Sequence, residues 1–381
     1  SPQEPIMTID PHQLTRIQAR GVQWSDPGNP GLARIGGAGP TDHKAFNFDA
    51  GTAMIPIFSD QIGDSPFSAR PGADAEEILI FEHDTLIGKT SSPGKPRFYD
   101  LATADGVPYQ QIATLHSNKV LATTVLQTCV RYRNRATSCQ FCAIEESLEA
   151  GRTIAHKTPE QLAEVAEAAV RLDGIEQMIM TTGTPKTLDR GAAVLTQSAA
   201  AVRARVNIPI QAQCEPPDDD AWFQRLKNAG VDALGMHLEA VSDRVRQAIM
   251  PGKASVPLSR YMSAFEAAVE VFGRGNVSTY ILAGLGDTEE EILAMALRLI
   301  DMGVYPFVVP FVPVAGTPLA HYPMPDPAML DRLFRVLGPE LVRQGISSDS
   351  LKAGCAKCGA CSSLKGYEQT PATDSEALAH G

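Results

Sequence analysis

The sequence predicts an α/β protein built around a partial (β/α)6 barrel. Between about residues 120 and 345, apolar β-type segments alternate with amphipathic helical segments. The strand segments are apolar almost throughout, which is typical of parallel strands covered by helices. Six such strands fall short of the eight in a complete barrel. We therefore expect a partial TIM-like barrel, preceded by a β-rich segment and followed by a cysteine-rich extension.

The six expected strands are KVLATTVLQT, EQMIMTTG, IPIQAQ, DALGMHLEA, NVSTYILAG and YPFVVPFVP. Helices are expected at 158–174 and near 190–205, 218–229, 258–273, 288–302 and 328–344. The first helix has clear end signals: Thr158 as N-cap, Pro159 in the first turn, Gln161 completing a capping box and Gly174 at the exit. In parallel sheets of this kind, functional residues lie just past the carboxyl ends of the strands.

Three regions are expected along the chain. Residues 1–119 are rich in Gly and Pro, with short β-like pieces such as GTAMIPIF, EEILIFEHDTLIG and KPRFYDLAT and no long helical period, so we expect an N-terminal β-rich cap segment. Residues 120–345 form the barrel. Residues 346–381 form an extension that carries a cysteine group and then a polar tail, which we expect to be disordered.

Charge and hydropathy narrow the classes of partner. The net charge of -11 argues against nucleic acid or an anionic membrane as a partner, because phosphate binding needs clustered Lys and Arg. The sequence lacks an apolar run of the roughly 20 residues that cross a bilayer, and its start does not resemble a signal peptide. We expect a cytoplasmic protein that acts on a small molecule; the oligomeric state is not predicted.

Seven cysteines form two groups and one single residue. The groups are Cys129, Cys139 and Cys142, and Cys355, Cys358 and Cys361, with Cys214 alone. Close Cys-x-x-Cys spacings in a cytosolic chain are more typical of metal sites than of disulfides. A lone cysteine such as Cys214 is more often a small buried apolar residue than a ligand.

The first group has two chemical interpretations. Three thiolates do not complete a tetrahedral zinc site, so zinc needs a fourth ligand from elsewhere in the chain. A [4Fe–4S] cluster held by three cysteines takes one thiolate on each of three irons and leaves the fourth iron open to a substrate or cofactor.

The segment CVRYRNRATSCQFC, residues 129–142, resembles the cysteine motif of radical S-adenosylmethionine (radical SAM) enzymes. That superfamily commonly has Cys-x3-Cys-x2-Cys after the first barrel strand, with an aromatic residue before the third cysteine, as Phe141 is here. The first spacing is expanded to nine residues in this chain, a departure that also occurs in some branches, including the catalytic subunit family of elongator. Together with KPRFYDLATADGVPYQQIATLH, the motif is similar to a bacterial radical SAM family encoded beside a nitrilase.

The resemblance implies a set of cofactor-binding residues at successive strand ends. TTGTP lies where many members have a Gly-Gly-Glu motif that holds the amino group of S-adenosylmethionine, and QCEPP, HLEA and AGLGDTEEE follow the later strands. The residues implied are Phe141, Thr181, Thr182, Gly183, Thr184, Gln213, Glu215, His237, Glu239, Gly284 and Leu285.

Each of these motifs has a structural alternative. Glu215 is equally a helix-entry acid before PPDDD. His237 is equally a hydrogen-bonded buried histidine, and Gly284 and Gly286 can simply permit a tight turn.

The implied chemistry is reductive cleavage of S-adenosylmethionine by a [4Fe–4S] cluster, which gives a 5′-deoxyadenosyl radical that abstracts hydrogen from the substrate. The resemblance implies a reductant such as flavodoxin or ferredoxin and a small-molecule substrate, which we take to be related to an amino acid or a nitrile. The alternative is a non-catalytic iron–sulfur or zinc protein that transfers electrons or binds a partner.

For the second cysteine group, GCAKCGAC, we expect an auxiliary iron–sulfur cluster near the barrel mouth. The alternative is a zinc knuckle with Cys214 or a histidine as its fourth ligand.

Overall fold

The structure is a computed structural model that describes residues 8–26, 33–34, 43–48, 51–57, 60–74 and 76–369. The polar tail expected to be disordered begins at Gly366, but its first residues are ordered, because a short helix spans Leu364–Tyr367 and Tyr367 is buried. The rest of this tail, from residue 370, and the first seven residues lie outside the described residues. The strands are β1 Gln23–Trp24, β2 Ala33–Arg34, β3 His43–Phe48, β4 Gly51–Pro56, β5 Phe67–Pro71, β6 Glu77–Glu82, β7 Thr85–Ser91, β8 Thr114–Ser117, β9 Val120–Thr124, β10 Gln177–Thr181, β11 Ile210–Gln213, β12 Ala233–Gly235, β13 Val277–Ala283 and β14 Val304–Pro310.

The helices are α1 Pro11–Arg20, α2 Glu146–Glu149, α3 Pro159–Asp173, α4 Ala192–Arg203, α5 Ala221–Asn228, α6 Asp243–Ile249, α7 Leu258–Phe272, α8 Glu289–Met302, α9 Pro327–Arg343, α10 Cys355–Cys358 and α11 Leu364–Tyr367.

Six parallel strands form the predicted partial barrel. Their order is β14-β13-β12-β11-β10-β9, and every neighbouring pair is parallel. The helices α3, α4, α5, α7 and α8 connect or follow these strands and bury apolar faces against them. The predicted fold class is confirmed. The hairpin strand β8, which lies before the predicted boundary at residue 119, adds an antiparallel edge beside β9.

The predicted ends of the first barrel helix agree with the structure. The Thr158 side chain accepts from the backbone N–H of Gln161, and the Gln161 side chain accepts from the backbone N–H of Thr158. Gly174 ends the helix in the left-handed conformation, with φ 63°. A second capping box, formed by Thr288 and Glu291, begins α8. These local hydrogen bonds explain why the helix starts could be predicted from sequence.

Among its described residues, the N-terminal part contains a second sheet and the helix α1. The strand order is β1-β5-β6-β7-β3-β2, with β4 paired to β3, around an apolar core that includes Ile17, Phe46 and Ile80. Two expectations for this part are wrong. Helix α1 was not expected, although Asp10 and Gln13 form a capping box before it. The segment KPRFYDLAT was expected to be β-like, but it contains a 3-10 helix at Arg97–Asp100.

The N-terminal part packs against both edges of the barrel sheet. Strand β4 contacts β8 at one edge, and α1 contacts α9, which follows β14 at the other edge. Gln61, which precedes β5, accepts from the backbone N–H of Met324 in the loop between β14 and α9 at 3.2 Å. The open side of the six-stranded barrel is therefore flanked by the N-terminal part.

Candidate active site

A cavity of about 1160 Å³ lies within the partial barrel. The first cysteine group lines it at the carboxyl ends of the strands, and Cys355 and Cys361 of the second group line it as well. Nine of the eleven residues predicted to bind the cofactor also line this cavity; Gly284 and Leu285 do not. The barrel thus brings residues of both cysteine groups and most of the predicted residues to one cavity.

The cysteine loop, residues 129–142, follows β9 and is held by backbone hydrogen bonds from three directions. The N–H of Val130 donates to the carbonyl of Thr184 after β10 at 2.8 Å. The N–H of Gln140 donates to the carbonyl of Ile249 at the end of α6 at 2.9 Å, and the N–H of Leu319 donates back to the carbonyl of Gln140 at 3.3 Å. These contacts fix the loop in which Cys129, Cys139 and Cys142 lie.

A buried ion pair ties the same loop to β11. The Arg131 guanidinium donates to both carboxylate oxygens of Glu215, from Nε at 3.1 Å and from Nη2 at 3.0 Å. The Thr184 hydroxyl also hydrogen-bonds Glu215. Burial alone would raise the pKa of Glu215, but the hydrogen bonds and charge of Arg131 hold it below its ordinary value. Both carboxylate oxygens of Glu215, a residue implied to bind the cofactor, thus already form hydrogen bonds within the protein.

The TTGTP segment packs directly against the cysteine loop. The Thr181 hydroxyl is 2.9 Å from the hydroxyl of Thr124, and the Thr182 hydroxyl donates to the carbonyl of Gly183. A Cβ atom at Gly183 would stand 1.9 Å from the backbone oxygen of Thr128, the residue before Cys129. The absence of a side chain at Gly183 is therefore what lets the segment approach the loop so closely.

A second buried ion pair lies beside the first cysteine group. Lys253 donates to Glu239, whose carboxylate was predicted to contact the cofactor. Burial alone would lower the pKa of Lys253, but Glu239 and neighbouring anions, Cys139 among them, raise it above its ordinary value. Phe141, the aromatic residue that precedes Cys142 in the motif, also lines the cavity.

The chemistry of the donors fits an iron–sulfur cluster at the first group. Burial raises the pKa of Cys139, and it raises that of Cys142 to about 12, so a bound cation is needed to stabilise the thiolates. Among the described residues, no group of three or more His, Cys, Asp or Glu side chains is arranged to hold one metal ion. A [4Fe–4S] cluster takes one thiolate on each iron, so its ligands do not converge on a single ion.

The second cysteine group lies at the amino ends of the strands, so the expectation of a position near the mouth is wrong. The N–H of Gly354 donates to the side chain of Gln177, the first residue of β10, at 2.8 Å. The N–H of Lys352 donates to Asn276, which precedes β13, at 3.0 Å. The physical reason is topological, because each helix of a βα unit returns the chain to the amino end of the sheet.

Each sulfur of the second group has a polar side chain next to it. Gln213 Nε2 donates to Cys355 Sγ at 3.1 Å, Ser117 Oγ lies 3.1 Å from Cys358 Sγ, and His116 Nε2 lies 3.5 Å from Cys361 Sγ. Burial raises the pKa of Tyr280 well above its ordinary value, and its side-chain hydrogen bonds with Cys355 and Cys361 act in the same direction. The group is therefore surrounded by hydrogen-bonding side chains of the barrel.

His237 and Gln213 connect the middle of the barrel to this second group. The N–H of Tyr280 donates to His237 Nδ1 at 3.1 Å, so the other ring nitrogen, Nε2, carries the proton and donates to Gln213 Oε1 at 2.9 Å. Burial lowers the pKa of His237 to about 3, which agrees with a neutral ring. Both residues line the cavity, and Gln213 contacts Cys355 rather than the first group.

Sequence reasoning missed several residues of this cavity. Arg131 and Lys253 neutralise Glu215 and Glu239, Tyr280 contacts the second cysteine group, and Lys157 lies buried next to Thr124. Arg131 could have been found from the sequence, because it is a basic residue inside the cysteine motif. For the others no local pattern exists, because their partners are distant in sequence.

The profile of the Radical SAM superfamily matches residues 132–299, which include Cys139 and Cys142 and the strands β10–β13. These residues form a radical SAM domain. The predicted radical SAM domain is confirmed at these residues, and the match specifies no reaction.

Two curated relatives match part of this chain. The chain is 29% identical over 213 residues to the bacteriochlorophyllide c C-7(1)-hydroxylase of Chlorobaculum limnaeum, covering 51% of this chain and 52% of that protein. It is 26% identical over 125 residues to the "Probable dual-specificity RNA methyltransferase RlmN" of Moorella thermoacetica, covering 32% of this chain and 35% of the relative. The matches therefore span about half and about a third of these relatives.

Among solved structures, methylornithine synthase (PylB) matches with 15% identity and a TM-score of 0.45, covering 64% of this chain and 72% of that one. The [FeFe]-hydrogenase maturase HydG matches with 16% identity and a TM-score of 0.45, covering 59% of this chain and 49% of that one.

In the described part of the chain, none of the helices has the length and apolar character needed to span a membrane.

Proposed function

We propose that this protein is a radical SAM enzyme that acts on a small molecule held in the barrel cavity. The observation that carries the proposal is that Cys129, Cys139 and Cys142 line one cavity at the strand ends of a chain with a radical SAM domain. When bound there, a [4Fe–4S] cluster and S-adenosylmethionine would supply a 5′-deoxyadenosyl radical that abstracts hydrogen from the substrate. We propose a substrate related to an amino acid or a nitrile, and flavodoxin or ferredoxin as the cytoplasmic reductant.

The chain's own residues would hold and enclose the reactants. Arg131 and Glu215 keep the cysteine loop in place through their two hydrogen bonds. Thr181 and Thr182 present hydroxyl groups at the end of β10, where the family's glutamate is missing. A substrate bound in the cavity would displace water, and its reacting carbon would be held close to the cofactor.

Replacement of Cys129, Cys139 and Cys142 together by Ala tests this function. We expect the wild type, reconstituted anaerobically and reduced with dithionite, to release 5′-deoxyadenosine from S-adenosylmethionine, and the triple variant to release none. Cys214→Ala is the matched control, because Cys214 is a cysteine on the same cavity outside both groups. Equal 5′-deoxyadenosine formation by the triple variant would reject these three cysteines as the site of cleavage, and absence of 5′-deoxyadenosine from the wild type would favour a non-catalytic role.

We also propose that Cys355, Cys358 and Cys361 hold an auxiliary iron–sulfur cluster on the floor of the cavity. The supporting observation is the hydrogen-bonding side chains next to all three sulfurs, since such bonds stabilise thiolates and tune cluster potentials. Cys355 and Cys361 face the cavity from the end opposite the first group. A substrate between the two groups could thus exchange an electron with the auxiliary cluster.

Iron analysis tests the auxiliary cluster. The reconstituted wild type should contain about eight irons per chain, following from two four-iron clusters. The variant with Ala at 355, 358 and 361 should contain about four and still cleave S-adenosylmethionine, whereas Cys214→Ala should keep all of its iron. Zinc in place of the additional iron would show that the second group is a zinc knuckle.

A further inference from the structure

Lys157 is a buried lysine on the wall of the barrel cavity that the proposed reaction does not use. It directly precedes Thr158, the N-cap of α3, and it lies between that helix and the end of β9. Its relative exposure is 1%, and it is one of the residues that line the cavity. Lysine is almost never fully buried unless a partner compensates its charge.

Its ammonium group has two neutral hydrogen-bond partners. Nζ donates to the backbone carbonyl of Thr124 at 2.6 Å and to Oε1 of Gln127 at 3.0 Å. The Gln127 amide cannot be turned around, because its Nε2 donates to the carbonyl of Ile144 at 2.6 Å. An ammonium has three donors, so one N–H is left for a group in the cavity.

Two other buried cations of this cavity, unlike Lys157, are paired with a carboxylate. Arg131 is paired with Glu215, and Lys253 is paired with Glu239. In the described ranges of the chain, no carboxylate lies within salt-bridge distance of Lys157. Burial lowers its pKa to about 7, and no nearby charge opposes this effect. An anion beside Lys157 would remove the cost of burying its charge.

We propose that Lys157 binds a carboxylate in the barrel cavity and that this carboxylate belongs to the substrate. The inference rests on the proposed function, because it places the substrate in that cavity. It narrows the substrate to small carboxylic acids, a class that includes amino acids. Thr124 and Gln127, which orient the ammonium, line the same cavity, as do Cys129 and Cys142. A bound acid would therefore share this cavity with the first cysteine group.

S-adenosylmethionine also has a carboxylate, so the experiment must distinguish binding of a substrate carboxylate from binding of the cofactor carboxylate. The reconstituted protein is titrated calorimetrically with two matched probe pairs. The first pair is S-adenosylmethionine against decarboxylated S-adenosylmethionine, and the second, with S-adenosylmethionine present, is butyrate against butyramide. The variants are Lys157→Gln, Lys157→Arg and the control Lys186→Gln, which changes an exposed lysine after β10. Iron content and thermal unfolding confirm that each variant is folded.

We expect the wild type to prefer butyrate to butyramide by at least about tenfold, because hydrogen bonds to charged groups are the stronger ones. Lys157→Gln should lose this preference, while Lys157→Arg and Lys186→Gln keep it. Loss of the preference for intact S-adenosylmethionine in Lys157→Gln would instead assign the carboxylate to the cofactor and overturn the substrate assignment. The substrate assignment would also be overturned if Lys157→Gln kept both preferences, or if the wild type did not prefer butyrate to butyramide. Absence of 5′-deoxyadenosine formation would reject the proposed function alone, since the butyrate titration does not depend on it.

Discussion

Gly183 illustrates how one missing side chain shapes the site. Its backbone N–H donates to the carbonyl of Leu126 at 2.8 Å, which holds it against the chain that leads to Cys129. A Cβ atom there would overlap the backbone oxygen of Thr128, which cannot rotate away as a flexible side chain could. The position of the cysteine loop therefore depends on glycine at this residue.

We predict that Gly183→Ala lowers the free energy of unfolding by about 1–3 kcal/mol through overpacking. It should also reduce the iron bound by the first cysteine group, because the loop must move away from β10. Iron analysis and denaturant unfolding measure the two effects. Gly63→Ala is the control, since a Cβ at Gly63 meets nothing within 4 Å; equal behaviour of the two variants would contradict this prediction.

Lys157 gives a pH dependence with a defined sign. Its pKa is about 7 in the folded protein, against an ordinary value of 10.5. Between these pH values the unfolded chain holds a proton that the folded protein does not, so folding stability should rise with pH across this window. The slope should reach about 1.4 kcal/mol per pH unit.

We predict that Lys157→Met removes this contribution. The difference in free energy of unfolding between wild type and variant should shift in favour of the wild type from about pH 7 to pH 10, as measured by urea unfolding in carboxylate-free buffers. Parallel pH profiles for the two proteins would show that Lys157 has an ordinary pKa.

At the scale of elements, the Arg131–Glu215 pair joins the cysteine loop to β11. The side chains of Arg131 and Glu215 are only 15% and 7% exposed, and Arg131 Nη1 also donates to the carbonyl of Gly252 before α7. The pair therefore connects the loop after β9, the end of β11 and the segment between α6 and α7.

We predict that Glu215→Gln destabilises the protein by on the order of 3 kcal/mol, because it leaves the buried Arg131 charge without compensation. Iron at the first group should decrease together with stability. The double variant Arg131→Gln with Glu215→Gln should recover part of the loss, as measured by a double-mutant cycle. If Glu215 serves only the ribose, Glu215→Gln will weaken S-adenosylmethionine binding with stability unchanged.

At the scale of the whole molecule, the two ends of the described chain meet beside the second cysteine group. The carbonyl of Ala360 accepts from the N–H of Met54 in β4 at 2.7 Å and from Nε2 of Gln18 in α1 at 3.0 Å. The hydroxyl of Thr15 in α1 lies 2.8 Å from that of Tyr367 in α11. The N-terminal part thus supports the segment that carries Cys355, Cys358 and Cys361.

We predict that Gln18→Ala costs about 1–3 kcal/mol, the typical effect of removing a buried hydrogen-bond partner. In the cluster-free protein it should speed alkylation of Cys355, Cys358 and Cys361, followed by mass spectrometry, more than that of Cys129. Gln224→Ala, which removes an exposed amide bonded within α5, is the control. Equal alkylation rates in both variants would mean that α1 does not hold this segment.

Much of the barrel was predictable because its signals are local. Six apolar strands, their helices and the capping box of Thr158 and Gln161 depend on residues close in sequence. Helix α1 was not predicted although Asp10 and Gln13 carry the same signal, because the helix has only ten residues and lies in a Gly- and Pro-rich part of the sequence. The 3-10 helix at Arg97–Asp100 is too short to show a period.

The sequence by itself determined the fold class, the radical SAM motif and the existence of two cysteine groups, since apolar periodicity and cysteine spacing are properties of neighbouring residues. Only the tertiary structure decided that Glu215 pairs with Arg131, that Cys355 and Cys361 close the cavity from its amino end, and that Lys157 lies buried beside neutral acceptors. The physical reason is that burial and charge compensation depend on residues far apart in the chain, which meet only after the sheet has formed.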